Sequence, residues 1–370
     1  MPALSFAPAL SLLFALGRVP ARPFRTWWRT TEHRFRPPTS TLHVPRVRNA
    51  QDAVRARSAG VSLHGANILI ERRRGPMPTI VLGGFVPDGA EQVYLLRGFL
   101  LKHGSLYYFN YPADGFSADF IFAQLDDLVS ELTLEHGHPP ALLAVSFGAG
   151  LVLEWLKQAR RAGRTRSVRG LVLVSPVACV EDMLAPGDGK PTTLLGRALK
   201  PYLTEDHALE PAVMEKSRAL FSRMFESGAQ NKEALRGLLT RQELHRLRDA
   251  VIATLRSVTP RGAFERVQAL RRMESPSGYF SQTLLPLSEA PTLILYAEKE
   301  GAVLSEHSPS RFALQSAHRA YFPRSWCKTI TNSRGSPVQH ASLLFHCFNF
   351  LPPISAFYRR LKKRNALKAA

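Results

Sequence analysis

The sequence predicts an α/β protein: a doubly wound, mostly parallel sheet with a helical domain inserted late in the chain. From about Gly60 onward, short apolar runs alternate with stretches of helical periodicity. The runs are continuous rather than alternating, as expected of parallel strands covered on both faces. Between Pro176 and Ala290, about 115 residues pass without convincing strand text before the strands return. That interruption reads as a separate unit set between two strands of one sheet.

Taken in order, Val61–Ile70 reads as an antiparallel hairpin with Gly65 near its turn. Pro78–Phe85 (PTIVLGGF) is a buried strand ending in glycines, and Leu106–Tyr111 is a second strand closed by Pro112. Asp119–Leu132 repeats Phe120, Leu125, Leu128, Val129 and Leu132 at helical spacing. Ala141–Val145 (ALLAV) is a strand, Gly148–Arg160 a helix and Val168–Val174 a strand. The insertion is rich in helix-forming text such as Glu233–Ser257. Its apolar residues, among them Leu220, Phe221, Met224, Phe225, Leu235, Leu238 and Leu239, could pack its own core or line a pocket. Strands resume at Thr292–Ala297 (TLILYA) and near Cys327–Thr331. The expected organisation is a basic leader and linker over residues 1–54, a core over 55–175 and 291–352, the helical insertion over 176–290, and a basic tail over 353–370. In that tail, Pro352–Pro353 stops one helix and a second begins at Ile354.

With 370 residues, 45% apolar and 21% charged, the chain can bury a large core, which excludes a disordered or fibrous protein. Three cysteines at wide spacing (Cys179, Cys327, Cys347) supply neither a disulfide framework nor a four-ligand zinc cluster. The net charge of +20 is concentrated at the ends. Residues 1–75 hold 13 Arg against Glu32, Asp52 and Glu71, and residues 359–370 hold six basic residues and no acid. A nucleic-acid enzyme more often spreads its cations over a face or groove of the body, so no nucleic-acid partner is expected. Basic ends fit anionic surfaces such as the cytoplasmic leaflet of a membrane. Ala3–Leu16 is a 14-residue apolar run broken by Pro8 and followed by Arg18, Arg22, Arg25 and Arg29 beside Trp27–Trp28. It is too short to span a bilayer and has no basic segment before it, as a signal peptide would. It reads as a floppy or surface-packed leader, as an interfacial anchor giving residues 1–30 a peripheral membrane contact in an otherwise cytoplasmic protein, or as a cleaved signal. From Arg36 to Arg48 the text is a proline-rich linker.

The segment that carries chemistry is Ala144-Val145-Ser146-Phe147-Gly148, between the ALLAV strand and the following helix. A serine nucleophile needs its hydroxyl thrust out on a sharp strand-to-helix turn, and that turn tolerates only small residues two positions either side. The N–H after the serine, that of Phe147, would then point from a helix N-terminus at a developing oxyanion. A base and a carboxylate must follow. Glu298 and Glu300 lie at the end of the TLILYA strand, and His340 lies in a loop after the last strand. Alternation along the chain would turn Glu298 to the other face, which favours Glu300. Asp182, after the Val168–Val174 strand, is a third candidate. Cys179 is not on such a turn, and His346 reads as a packed helix residue.

On these motifs (AVSFG, the GGF turn, AEKEGAV and SPVQHAS) the sequence resembles the α/β-hydrolase superfamily over roughly residues 60–350. The resemblance implies an eight-stranded sheet, with Ser146 as nucleophile, Glu300 as acid, His340 as base and the Phe85 N–H as the second oxyanion donor. Ala144 stands where the family usually has glycine, Gly83 where a histidine is common, and glutamate where aspartate is more usual. A serine rather than an aspartate nucleophile disfavours dehalogenase or epoxide-hydrolase chemistry. No phosphate loop, metal-spaced cluster or dinucleotide fingerprint accompanies the motifs, so neither cofactor nor metal is implied. The expectation is a serine hydrolase acting on a small-molecule ester, with thioester and amide as further alternatives, the insertion as a lid and an apolar, lipid-like acyl group as substrate. Acyl transfer or other non-hydrolytic chemistry on the same fold, favoured by a dry closed pocket, is the first rival. A silent membrane-associated binding protein is the second, favoured if Glu300 and His340 lie too far apart to bond.

Overall fold

In a computed structural model, the chain is described from residue 40 to residue 369, apart from residues 59, 61, 185–190, 204–209, 230–240 and 334. The strands are β1 (Thr41–Leu42), β2 (Asn67–Glu71), β3 (Thr79–Leu82), β4 (Leu106–Asn110), β5 (Ala141–Val145), β6 (Gly170–Val174), β7 (Thr292–Ala297) and β8 (Ser325–Ile330). They form one sheet in the order β1-β2-β4-β3-β5-β6-β7-β8. β1 and β2 run antiparallel to their neighbours, and every pairing from β4–β3 to β7–β8 is parallel.

The central strands β3, β5, β6 and β7 are buried at every position, which is why their text is apolar without alternation. The pleat still divides them. Ile80, Leu82, Leu142 and Ala144 join one core, while Val81, Leu143 and Val145 join the other. Helices α1 (Asn49–Arg57), α2 (Gly89–Gln92), α3 (Arg97–Leu100), α4 (Ala118–His136) and α5 (Phe147–Arg161) belong to the first half of the chain. α4 and α5 cover the first face through residues such as Ile121, Leu125, Val152 and Trp155. α4 opens on Ser117, whose hydroxyl accepts from the Phe120 N–H (3.4 Å), and ends at Gly137 in the left-handed region (φ 71°).

Between β6 and β7 the described residues form helices and no strand: α6 (Leu194–Leu199), α7 (Pro211–Ala229), α8 (Arg241–Ser257) and α9 (Pro260–Arg272), with short 3₁₀ turns around them. Leu235, Leu238 and Leu239 lie outside the described residues. After β7 come α10 (Pro309–Tyr321), β8 and the terminal α11 (Cys347–Ala369).

Three expectations are corrected. β2 does not belong to a 61–70 hairpin: its antiparallel partner on the outer side is β1, with Thr41 opposite Ile70 and Leu42 opposite Leu69. Gly65 instead packs on Gln124, whose amide oxygen accepts from the Ala66 N–H (2.7 Å). Nor do the described residues 40–54 stand apart as a linker; residues 1–39 of the expected leader lie outside the described residues. Strand β1 interrupts the proline-rich text, and α1 docks on α4, with Asp127 accepting from the Ala50 and Gln51 N–H groups (2.9 and 3.0 Å) and Val54 buried against Phe120 and Ala123. Finally, Pro352 and Pro353 lie inside α11 and do not end it. Two prolines inside a helix cost about 3 kcal/mol each. On the same helix Phe350, Leu351, Ile354, Phe357, Tyr358 and Leu361 are buried on the second face of the sheet. At roughly 1.5–3 kcal/mol per buried side chain, they outweigh the proline cost.

No helix among the described residues is long and apolar enough to cross a membrane. The Ala3–Leu16 run, Trp27–Trp28 and the arginines around them lie outside the described residues.

Candidate active site

Ser146 sits between β5 and α5 with φ 53° and ψ −117°, a backbone that L residues rarely adopt. Four backbone hydrogen bonds hold it there: its N–H donates to Val174 O (2.8 Å), and its carbonyl accepts from Ala149, Gly150 and Val177 N–H (3.0, 3.1 and 3.1 Å). The turn is tight enough that a Cβ on Gly148 would lie 2.3 Å from Gly83 O and 2.8 Å from Leu82 O, both backbone. Only glycine fits where α5 crosses the end of β3.

His340 reaches this serine from the far end of the chain. Lys299 N–H donates to Val338 O (2.9 Å), which ties the loop after β8 to the end of β7 and sets His340 beside Glu300. The Ser146 hydroxyl donates to His340 Nε2 (3.0 Å), and His340 Nδ1–H donates to Glu300 Oε2. Glu300 is 1% exposed, and its other oxygen accepts from Ser175 Oγ (2.7 Å) and Ala297 N–H (2.6 Å). Every oxygen of this buried carboxylate is therefore engaged.

The two remaining carboxylate candidates lie elsewhere. Glu298 is half-buried and accepts from Asn332 N–H (2.9 Å). Asp182 is fully buried and accepts from Ala178 N–H, Cys179 N–H, Ser308 Oγ and Ser310 N–H, with no histidine among its partners. Burial pushes its carboxyl up from the usual range. Cys179 is also fully buried, its thiol pushed far up by burial and by neighbouring Asp182, so it is not a thiolate nucleophile. His346 is buried, with Ser342 Oγ and Ser336 O at its two ring nitrogens (3.0 and 3.3 Å).

The Phe85 and Phe147 rings stack on each other, with centroids 4.2 Å apart, inside a cluster with Tyr111 and Phe116. Phe147 is the first residue of α5, so its N–H has no intrahelical acceptor. The Phe85 N–H has no acceptor among the described residues. The turn that carries Phe85 is held on several sides. Tyr111 Oη donates to Gly83 O (3.1 Å), Gly84 N–H donates to Gln92 Oε1 (2.9 Å), and Arg266 Nη1 donates to Phe85 O (2.8 Å).

Above Ser146 and His340 lies a cavity of about 150 Å³. Its walls are mainly apolar: Phe221, Met224 and Phe225 from α7, Val251 and Leu255 from α8, and Phe345. A second, smaller cavity of about 30 Å³ shares Phe85, Phe221 and Leu255 with it and is lined also by Tyr202, Met214 and Arg266. Thr254 of α8 donates to Glu91 Oε1 (2.8 Å), which ties the insertion to α2. Burial lifts the Glu91 carboxyl to about 7 and the neighbouring Asp88 carboxyl to about 6. Among the described residues no group of three or more His, Cys, Asp or Glu could hold a metal ion.

Ser175, Gln92, Tyr111 and Arg266 support this arrangement and were not singled out in the sequence. Only Arg266 carried a readable signal: it falls three residues after Ala263 and four before Leu270, on the apolar stripe of α9.

No protein-family model matches the sequence, and no curated protein matches it. Solved structures do. An esterase from Thermogutta terrifontis is 15% identical with a TM-score of 0.54, covering 80% of this chain and 94% of that one. An esterase from Rhodococcus sp. ECU1013 is 18% identical with a TM-score of 0.52, covering 81% of this chain and 98% of the other. An epoxide hydrolase from Bacillus megaterium is 12% identical with a TM-score of 0.53, covering 81% and 99%. The chain has the α/β-hydrolase fold.

Proposed function

We propose that the protein is a cofactor-independent serine hydrolase that cleaves a carboxylic ester through Ser146, His340 and Glu300. The observation that carries this reading is the continuous hydrogen-bond chain from the Ser146 hydroxyl through His340 to a buried carboxylate. As the ester carbonyl enters, Ser146 Oγ forms a bond to its carbon while His340 Nε2 takes the hydroxyl proton. The carbonyl oxygen becomes an oxyanion and receives the Phe85 and Phe147 N–H groups. Glu300 holds the imidazole with its proton on Nδ1 and offsets the positive charge of the imidazolium. The tetrahedral adduct collapses, the alcohol departs with the proton from His340, and an acyl-serine remains. Water then attacks that ester, giving its proton to His340, and the carboxylic acid leaves as the serine hydroxyl is restored.

The apolar cavity over the serine supports an uncharged, hydrocarbon-rich acyl group, and we read α7 and α8 as a lid that excludes water from it. The esterase neighbours are consistent with this chemistry without bearing on the substrate. Residues 1–30 are proposed, on sequence alone, to give a cytoplasmic protein a peripheral contact with anionic membrane.

The test is labelling with a fluorophosphonate probe of the wild type, Ser146→Ala and His340→Gln. Labelling of the wild type alone is expected, and equal labelling of all three removes the reading. A p-nitrophenyl ester series then reads acyl preference, with rates rising as the acyl chain lengthens to fill the cavity. For the leader, vesicles containing phosphatidylserine should pellet the full chain at low salt but not a chain lacking residues 1–39, which keeps β1 and α1.

A further inference from the structure

Arg266 is 4% exposed and forms no ion pair among the described residues, Asp88 and Glu265 attracting it only from longer range. A buried guanidinium without an ion pair is costly unless its donors are used. Here the two terminal nitrogens are spent on the main chain, while Nε is buried without a partner: Nη1 donates to Phe85 O (2.8 Å), and Nη2 to Pro112 O (3.1 Å) and Tyr111 O (3.4 Å). The Arg266 guanidinium also lies over the Tyr111 ring, 5.6 Å from its centroid, and Tyr111 in turn donates to Gly83 O. One side chain of the insertion thus joins α9 to the loop after β4 and to the turn after β3. A helix that needed only to pack here would carry an aliphatic residue at this position of its apolar stripe.

We propose that Arg266 is a positioning residue for the oxyanion site: its forked guanidinium fixes the peptide that follows Phe85, so that the Phe85 N–H faces the cavity beside Ser146. The proposal rests on the serine-hydrolase reading and deepens it. With Gly83 O held by Tyr111, Gly84 N–H by Gln92 and Phe85 O by Arg266, the turn keeps little freedom to rotate the Phe85 N–H away. Lysine cannot replace the fork, because one ammonium lacks the planar pair of nitrogens that spans Phe85 O and Pro112 O. Because Arg266 comes from the insertion, the same contact makes assembly of the oxyanion site depend on the docking of α9.

The full chain is assayed on p-nitrophenyl butyrate as wild type, Arg266→Lys and Arg266→Gly, with thermal melts of each. For Arg266→Lys we expect kcat to fall by about tenfold to a hundredfold, with KM within about threefold, since misplacing a group by about 1 Å costs on this scale. In Arg266→Gly, methylguanidinium at non-denaturing concentration should restore part of kcat, whereas methylurea should not. Wild-type kcat in a folded Arg266→Lys, a rise in KM alone, or equal response to methylguanidinium and methylurea overturns the proposal. Failure of both variants to fold makes Arg266 a structural anchor and overturns it as well. A wild type that neither hydrolyses the ester nor takes the fluorophosphonate probe defeats the hydrolase reading itself, a different result from an active wild type whose Arg266 variants keep their kcat.

Discussion

Asp182 and Glu300 are both carboxylates set just beyond the ends of neighbouring strands, both wholly buried, and both bonded through each oxygen. They differ in what donates to them. Asp182 receives three backbone N–H groups and a hydroxyl, all neutral, and its burial is answered by a raised carboxyl pKa. Glu300 receives a hydroxyl and one N–H on one oxygen and leaves the other for an imidazole, which can carry a proton away. A buried acid with neutral donors joins loops. One that faces a histidine, itself in contact with a hydroxyl, has the geometry that the proposed proton path requires. Burial and hydrogen-bond count do not separate the two; the chemistry of the donor does.

The sharpest way to break that contrast is Glu300→Gln. The amide oxygen would be held where Ser175 Oγ and Ala297 N–H now donate, which turns the NH₂ group toward His340 Nδ1. That forces the imidazole proton onto Nε2, where it can no longer accept from Ser146. A tautomer locked the wrong way costs on the order of 10⁴ in kcat with the fold intact. Steady-state kinetics beside a thermal melt check this, and a variant within about tenfold of wild type would remove Glu300 from the proton path.

Asp182→Asn should do the opposite. The amide must place NH₂ against either the two N–H groups at Oδ2 or the Ser308 and Ser310 donors at Oδ1. Leaving buried donors unmatched costs about 1–3 kcal/mol per group. The expected outcome is a clear drop in denaturation midpoint, with kcat of the remaining folded enzyme within a few fold of wild type.

Glu91 extends the comparison to pH. It too is held mainly by neutral donors, Thr254 Oγ and Asp88 N–H, and burial raises its carboxyl from an ordinary 4.5 to about 7. A raised folded-state pKa means the folded protein holds the proton more tightly than the unfolded chain. The resulting stabilisation is complete below about pH 4.5 and is lost as pH rises through 7. Asp88, lifted to about 6, acts in the same direction. Between about pH 4.5 and 7 the slope of melting temperature against pH should therefore be more negative in the wild type than in Glu91→Gln. An unchanged slope would show that Glu91 is not the group titrating there.

Most of the parallel sheet was legible because its physics is local. Ala141–Val145 and Thr292–Ala297 are continuous apolar runs bounded by breakers, and a strand buried on both faces has no other pattern. What was misread depended on distant partners. Thr41–Leu42 is a strand only because β2 has an open edge, and Pro352–Pro353 sit inside a helix because six side chains beyond and before them pack on the sheet. The site divides in the same way. Ser146 and His340 stand out because the chemistry demands a particular residue in a particular kind of turn, and the structure brings them together with Glu300. Tyr111, Gln92 and Arg266 hold the turn after β3 by contacts to backbone atoms, which leave almost no mark in a single sequence.

The smallest expected effect belongs to Glu298→Gln, and it tests the contrast at its closest range. Glu298 precedes Glu300 by two residues and directly follows the same strand, yet its Oε2 accepts from Asn332 N–H at the start of the loop after β8. A glutamine there keeps an acceptor for that N–H and removes only a half-buried charge, a change usually worth within about 0.5 kcal/mol. Fluorophosphonate labelling and kcat should both stay within about twofold of wild type, that same energy expressed as a rate. If Glu298→Gln instead matched Glu300→Gln, the acid serving His340 in solution would be the neighbour, and the loop after β7 would have to turn over to bring it there.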